Sequence, residues 1–62
     1  MTVKDVFGLG LINDKTEIII RDGGFPVFHG DPKHPGLSEY EKCKIDGFLY
    51  NVPGNLVRFD LK

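Results

Sequence analysis

Three side chains have the chemistry of a metal site: His29, His34 and Cys43, with Asp31 as a further oxygen ligand. Imidazole, thiolate and carboxylate groups are the ligands that zinc accepts. The sequence contains no C-x-x-C and no H-x-x-x-H pair, so the spacing does not match known short ligand pairs. We interpret Cys43 as a small buried apolar residue, His29 as a strand residue and His34 as a loop residue. The sequence predicts neither a metal nor another cofactor.

Cys43 also has the chemistry of a nucleophile, which would require a neighbouring base and partial exposure. No oxyanion donor or orienting group can be assigned, and a chain of 62 residues leaves little room for a pocket. An acid–base pair could be drawn from the acidic residues Asp31, Glu39 and Glu41. A solvated charged face is the simpler interpretation of these three side chains. We expect that the protein is not an enzyme.

The chain is short and nearly neutral. Its length suits a single small domain, residues 1–62, and its formal net charge is -1. A nucleic-acid-binding domain usually has a basic excess, because neutralised phosphates release counterions and this release drives affinity. Here Lys and Arg are scattered among acidic residues. Nucleic acid is therefore the less favoured partner.

The cysteine count and the apolar pattern bear on the compartment. Cys43 is the only cysteine, so no internal disulfide can form, and this favours a reducing compartment. No apolar run approaches the ~20 residues of a membrane span. Residues 1–12 lack the cleavage site of a signal peptide. We expect a cytoplasmic protein without a membrane partner.

The periodicity of the apolar residues predicts an α+β fold. Residues 2–8 have the pattern of a short helix, with Thr2 as N-cap and Asp5 in the capping-box position. Apolar runs bounded by turn residues predict strands at 16–22, 25–29, 41–51 and 56–62. Turns at 22–24 and 53–55 join these strands into two hairpins. We therefore predict a short N-terminal helix followed by a four-stranded, mainly antiparallel sheet.

Individual residues refine this prediction. Ile18 and Ile20 share the strand face that we expect in the core. Pro26 lacks a backbone N–H, which indicates an edge strand. The alternation breaks after Gly47, which predicts a β-bulge there. One face of the sheet is expected to pack on the helix while the other is partly exposed.

The segment from Gly30 to Glu39 is the longest irregular stretch. Its prolines and glycines argue against regular structure, and long loops are often functional. An ordinary surface crossover between hairpins is the alternative interpretation. The first two strands also carry neighbouring apolar residues on both faces, Ile18 to Ile20 among them. Such a surface invites pairing with another chain, and homodimerisation would enlarge a small core.

The aromatic side chains divide between core and surface. A chain this small needs aromatic residues in its core, so we expect most of the following to be buried: Phe25, Phe28, Tyr40, Phe48 and Tyr50. We assign Tyr40 and Tyr50 to an interface, since each has a polar end. They lie near basic residues in the sequence, so the candidate partner-binding residues are Tyr40, Tyr50, Lys42, Lys44 and Arg58.

Two resemblances add to this interpretation. Four segments resemble short uncharacterised proteins of Gram-positive bacteria, their phages and mobile elements: residues 2–6, 17–22, 27–31 and 55–60. That resemblance implies a small α+β fold and no particular activity. The helix, the run from Ile18 to Gly24 and the Gly30-Asp31 pair also resemble the opening of an Sm-like domain. The Sm-like resemblance implies an RNA-binding ring, but later motifs of that family have no match here.

We therefore predict a non-enzymatic interaction module that binds a protein partner or itself through its sheet surface and the 30–40 loop. The alternative is a small nucleic-acid-binding protein, Sm-like or of another β-rich type, that uses Lys42, Lys44, Arg58 and the tyrosines. A metal protein or a subunit of an enzyme is a third and less favoured interpretation.

Overall fold

A strand forms at each of the four places where alternation predicts one in the computed structural model, which describes residues 1–51 and 53–62. Along the chain the elements are α1 (Val3–Phe7), β1 (Glu17–Asp22), β2 (Phe25–Gly30), a 3-10 helix (Pro35–Glu39), β3 (Ile45–Asn51) and β4 (Leu56–Leu61). The predicted short N-terminal helix and both predicted hairpins are confirmed.

The helix α1 begins with a reciprocal capping box. The backbone N–H of Asp5 donates to Thr2 Oγ1 at 3.3 Å, and the backbone N–H of Thr2 donates to Asp5 Oδ2 at 2.9 Å. The hydrogen bond from the Thr2 backbone holds the pKa of the Asp5 carboxyl below its ordinary value. Val3 and Val6 are fully buried, so the helix is fixed by its packing against the sheet.

Within the described residues the strands form a four-stranded sheet in the order β2-β1-β4-β3. The expectation of antiparallel pairing is correct for each hairpin and wrong where the hairpins meet, because β1 and β4 run parallel. Short turns determine pairing only inside a hairpin. The long connection after β2 leads to β3, which lies at the far edge of the sheet. Strand β4 then lies between β3 and β1 and runs parallel to β1, a pairing that needs such a long crossover connection. The sheet is therefore mixed.

Two irregularities bend the outer strands. The pairing of β3 with β4 shifts between Ile45 and Gly47, which confirms the predicted bulge and leaves Asp46 outside the register. A second shift lies between Ile20 and Arg21, where β1 pairs with β2. Pro26 lies on β2, an edge strand, as its missing N–H predicts.

The core lies between α1 and one face of the sheet. Ile18 and Ile20 of β1 are fully buried, as predicted, beside Val57 and Phe59 of β4. Val3, Val6, Leu37 and Ile45 complete this cluster. The core therefore combines the two central strands with residues from the helix and from the long connection.

The connection between β2 and β3 contains more regular structure than its prolines and glycines suggest. Pro35–Glu39 forms a 3-10 helix, since proline is tolerated at the first helical positions. His34 caps this helix, with its Nδ1 accepting a hydrogen bond from the backbone N–H of Gly36 at 3.0 Å. Leu37 is buried in the core and anchors the helix there.

Candidate interaction surfaces

Strand β3 is one edge of the sheet, and its second half is open. Ile45 donates its backbone N–H to Met1 O at 2.9 Å, and Thr2 forms a bridge with Lys44, so the N-terminal residues cover the start of this edge. Among the residues that the structure describes, no strand pairs with the outer edge of Gly47–Asn51. An uncovered edge of this kind can accept an extended segment of another chain.

The open part of β3 is also apolar. Phe48, Leu49 and Tyr50 are consecutive exposed residues, and Leu49 has 47% of its surface accessible. Asp46 is the only charged residue in the segment 45–51, and it lies at the bulge. Natural edge strands usually carry charges or proline that prevent association. The open part of β3 has neither.

The opposite edge, β2, has such protection. Pro26 removes one N–H from the strand, and the irregular pairing beside Arg21 bends it. Phe25 and Val27 are exposed on β2, Val27 to 43%. The two edges therefore expose apolar side chains to a similar extent, but only β3 presents an uninterrupted backbone over its open residues.

The outer face of the sheet, opposite α1, carries a row of residues that are paired across the strands. In the register of the strands, His29 of β2 pairs with Ile19 of β1, and Ile19 pairs with Arg58 of β4. Arg58 pairs in turn with Leu49 of β3. Cross-strand neighbours share a face, so this row crosses the whole sheet. His29 also contacts the carboxylate of Glu17. Leu49 is therefore both an edge residue and the end of this outer row.

Asp60 organises a group of ion pairs on the outer face. Arg21 Nε donates to Asp60 Oδ1 at 2.8 Å, and Arg58 Nη2 lies 3.5 Å from Asp60 Oδ2. The hydrogen bond from Arg21, assisted by the charges of both arginines, holds the pKa of the Asp60 carboxyl below its ordinary value. The Nε of Arg58 is buried without a hydrogen-bond partner in the described part of the chain.

The lowered pKa of Asp60 predicts a loss of stability in acid. A carboxyl whose pKa is lower in the folded state stabilises the fold above its unfolded pKa, and this contribution disappears as the pH falls through the folded pKa. We expect the thermal midpoint to decrease below about pH 4, the range in which an unfolded Asp titrates. Circular dichroism melts of Asp60→Asn are expected to show a shallower acid decrease than those of the wild-type protein. Asp46→Asn, outside this group, is the control, and an equally shallow curve for it would contradict the assignment.

The segment after β2 and the helix α1 enclose a surface cleft of about 410 Å³. It is lined by Lys4 and Phe7 of α1, by residues of the segment 32–38 and by Glu41. The expectation that so short a chain leaves little room for a pocket is therefore wrong.

The two tyrosines that we assigned to an interface lie at opposite edges of the sheet. The ring of Tyr40 packs against Phe28 with 6.0 Å between centroids, and its hydroxyl donates to Val27 O at 3.4 Å. Tyr40 therefore fastens the long connection to β2. Tyr50 is exposed on β3, opposite Val57 in the register.

The structure does not gather the predicted basic residues around these tyrosines. Lys42 and Lys44 are exposed in the segment before β3, where Lys44 O accepts the backbone N–H of Lys62 at 3.0 Å. Arg58 lies on the outer face and is paired with Asp60. Leu49 was not among the predicted site residues, although the three-residue apolar run around it is the signal that could have identified an unprotected edge.

His29, His34 and Cys43, the residues considered for metal or thiol chemistry, each have another contact in the fold. Among the residues with described positions, no three His, Cys, Asp or Glu side chains are grouped to hold a metal ion. Cys43 is a partly buried free cysteine whose Sγ lies 3.9 Å from Glu39 O. In the same residues, no helix has the length and apolar character needed to cross a membrane.

Comparison of the chain with protein-family models, with curated proteins and with solved structures finds no match. The function is therefore proposed from the surfaces described above.

Proposed function

We propose that the protein is a non-catalytic interaction module whose partner is a second copy of this chain, paired through the open part of β3. The observation that carries this proposal is the uninterrupted, apolar and uncharged edge from Gly47 to Asn51. Pairing of two such edges would join two sheets into one continuous sheet, with main-chain hydrogen bonds across the twofold axis.

The sequence of β3 suits pairing with itself. In an antiparallel arrangement with the axis at Leu49, each Phe48 lies opposite a Tyr50, and each Gly47 lies opposite an Asn51. Aromatic cross-strand pairs stabilise a sheet by roughly 0.2–1 kcal/mol each. No like charges face each other over these residues. Leu49 meets its own copy on the outer face, where it extends the row that contains Arg58.

Association would also supply apolar contact that a small core lacks. The buried cluster comprises eight hydrophobic residues in the described chain, and Phe48 and Tyr50 lie beside it on the same face but remain exposed. A chain of this size gains only about 3–5 kcal/mol of stability from one core. A partner strand beside β3 would cover both aromatic rings. Because Cys43 is a free thiol, we place this dimer in the reducing environment of the cytoplasm.

Leu49→Lys tests the proposal, because lysine on an edge strand opposes association and two lysines would face each other at the axis. We expect sedimentation equilibrium to show a dimer in the wild-type protein and a dissociation constant at least about tenfold higher in the variant, a change of ~1.4 kcal/mol. Val27→Lys is the matched control, since Val27 has similar exposure on the protected edge. Its dissociation constant is expected to equal that of the wild-type protein.

Two results would overturn the proposal. One is a wild-type protein that remains monomeric up to about 1 mM, where an association of only ~4 kcal/mol would be visible. The other is a dimer that Val27→Lys disrupts and Leu49→Lys does not, which would place the interface on β2. Salt-sensitive retention on single-stranded RNA by such a monomer would instead favour the nucleic-acid alternative with Lys42, Lys44 and Arg58.

A further inference from the structure

The cleft between α1 and the 32–38 segment has a positively charged rim. Lys4 and Lys33 are exposed residues that line it, and Glu41 contributes one negative charge. Among the residues that line the cleft, two are positively charged and one is negatively charged, whereas the whole chain has a formal net charge of -1. The Nζ of Lys33 lies 3.3 Å from Asp14 Oδ2 in a largely exposed pair, which contributes little to stability and can be exchanged for another anion.

The wall of the cleft is apolar and partly flat. Phe7 is half-buried and stacks on Phe59, with 6.1 Å between centroids and 10° between ring planes. Leu37, Pro32 and Pro35 provide further apolar surface. A planar apolar group that enters the cleft would meet rigid side chains, because Phe7 and Leu37 are both fixed by the core.

His34 adds a hydrogen-bond donor to this lining. Its Nδ1 accepts the backbone N–H of Gly36, so the neutral ring carries its proton on Nε2. The ring is also held edge-on against Phe28, with centroids 5.2 Å apart. The cleft thus combines two lysine ammonium groups, an imidazole held by its hydrogen bond and an apolar wall, within a volume typical of small-molecule sites.

We infer that this cleft binds a small aromatic anion, a planar apolar body with one carboxylate or phosphate group. The ring of the ligand packs against Phe7 and Leu37, and its anionic group pairs with Lys4 and Lys33. Charge-assisted hydrogen bonds and apolar contact are both needed, so neither half of the ligand binds well alone. The site is separate from β3, because its lining residues belong to α1 and to the segment before β3.

Titration of the ¹⁵N-labelled protein with benzoate tests this inference. We expect saturable shifts of backbone amides at Phe7, Leu37 and Ser38, with affinity at least about fivefold higher than for benzamide, which lacks the charge, or for acetate, which lacks the ring. Equal affinity for benzoate and benzamide would overturn the inference, as would shifts scattered over the whole chain or no saturable shift.

A charge reversal at the rim provides the matched variant. The double variant Lys4→Glu/Lys33→Glu is expected to bind benzoate about tenfold more weakly, because two attractive charges become repulsive. Lys62→Glu, a reversal outside the cleft, is expected to bind as the wild-type protein does. Leu49→Lys should also bind normally, which separates this site from the proposed dimer. If the rim variant keeps its amide spectrum and its affinity for benzoate, the inference fails.

Discussion

Replacing Phe59 by alanine is expected to unfold most of the protein at room temperature. Phe59 is fully buried on the central strand β4, beside Ile20 of β1 and opposite Phe48 of β3, and it stacks on Phe7. Removal of a buried phenylalanine side chain costs about 3–5 kcal/mol. A chain of this length has roughly the same total stability. Far-UV circular dichroism with urea titration measures the effect.

Two further variants make this result specific. Phe59→Leu leaves a smaller cavity and is expected to cost only about 1–2 kcal/mol. Phe25→Ala removes an aromatic ring that is 75% exposed on β2, and its free energy of unfolding should stay within about 0.5 kcal/mol of the wild-type value. A Phe59→Ala protein that unfolds at the wild-type urea midpoint would contradict the central position of this side chain.

The position of Phe59 could be predicted because its signal is local. Alternation of apolar and polar residues along β4 places Val57 and Phe59 on one face, and the same rule identifies Ile18 and Ile20 on β1. The capping box of α1 and the bulge at Gly47 are also short-range patterns. Each of these features depends on neighbours within a few residues, so sequence alone identifies it.

The order of the strands could not be predicted in this way. The neighbouring apolar residues of the first two strands predicted an exposed edge or apolar face there. Strand β2 is an edge of the sheet, but β1 is central and pairs on both sides. The open edge lies instead on β3, because β4 inserts between β3 and β1. No local pattern specifies which hairpin strand lies inside, since that choice depends on how both hairpins pack on α1 and Leu37.

The candidate sites also divide into features that the sequence indicates locally and features that depend on the whole fold. A functional role of the 30–40 segment stays a prediction, and Tyr40 within this segment packs against Phe28. The cleft beside this segment joins Lys4 to Lys33, residues that are far apart in the sequence. Their proximity results from the path of the connection in the folded chain, so no local sequence pattern predicts it.

A small polar cluster at the start of β1 and β4 accounts for their parallel register. Thr16 is fully buried, and its Oγ1 donates to Asn55 Oδ1 at 2.9 Å while accepting the backbone N–H of Asn13 at 2.9 Å. The backbone N–H of Glu17 donates to Asn55 O at 2.8 Å. Together these bonds tie the turn before β1 to the turn before β4, and they align Glu17 with Leu56.

Thr16→Val is therefore expected to destabilise the protein by about 1–3 kcal/mol, although valine has nearly the same shape as threonine. The loss arises because the Asn13 N–H and the Asn55 amide oxygen each lose their buried partner. Urea titration gives the free energy of unfolding. Hydrogen exchange at the Glu17 amide is expected to become faster in the variant, since the junction of β1 with β4 opens more readily.

A double-mutant cycle with Asn55→Gly shows whether the hydroxyl acts through this contact. Asn55 has a φ of 49°, a conformation that glycine adopts freely, so this substitution removes the amide without straining the backbone. If the two side chains act as one cluster, the double variant loses less stability than the sum of the single losses, with a coupling of roughly 0.5–3 kcal/mol. Additive losses within about 0.3–0.5 kcal/mol would mean that Thr16 stabilises the fold independently of Asn55. In that case the register of β1 with β4 would depend on the packing of Ile18 beside Val57 and of Ile20 beside Phe59, together with backbone hydrogen bonds such as that from Glu17 N–H to Asn55 O.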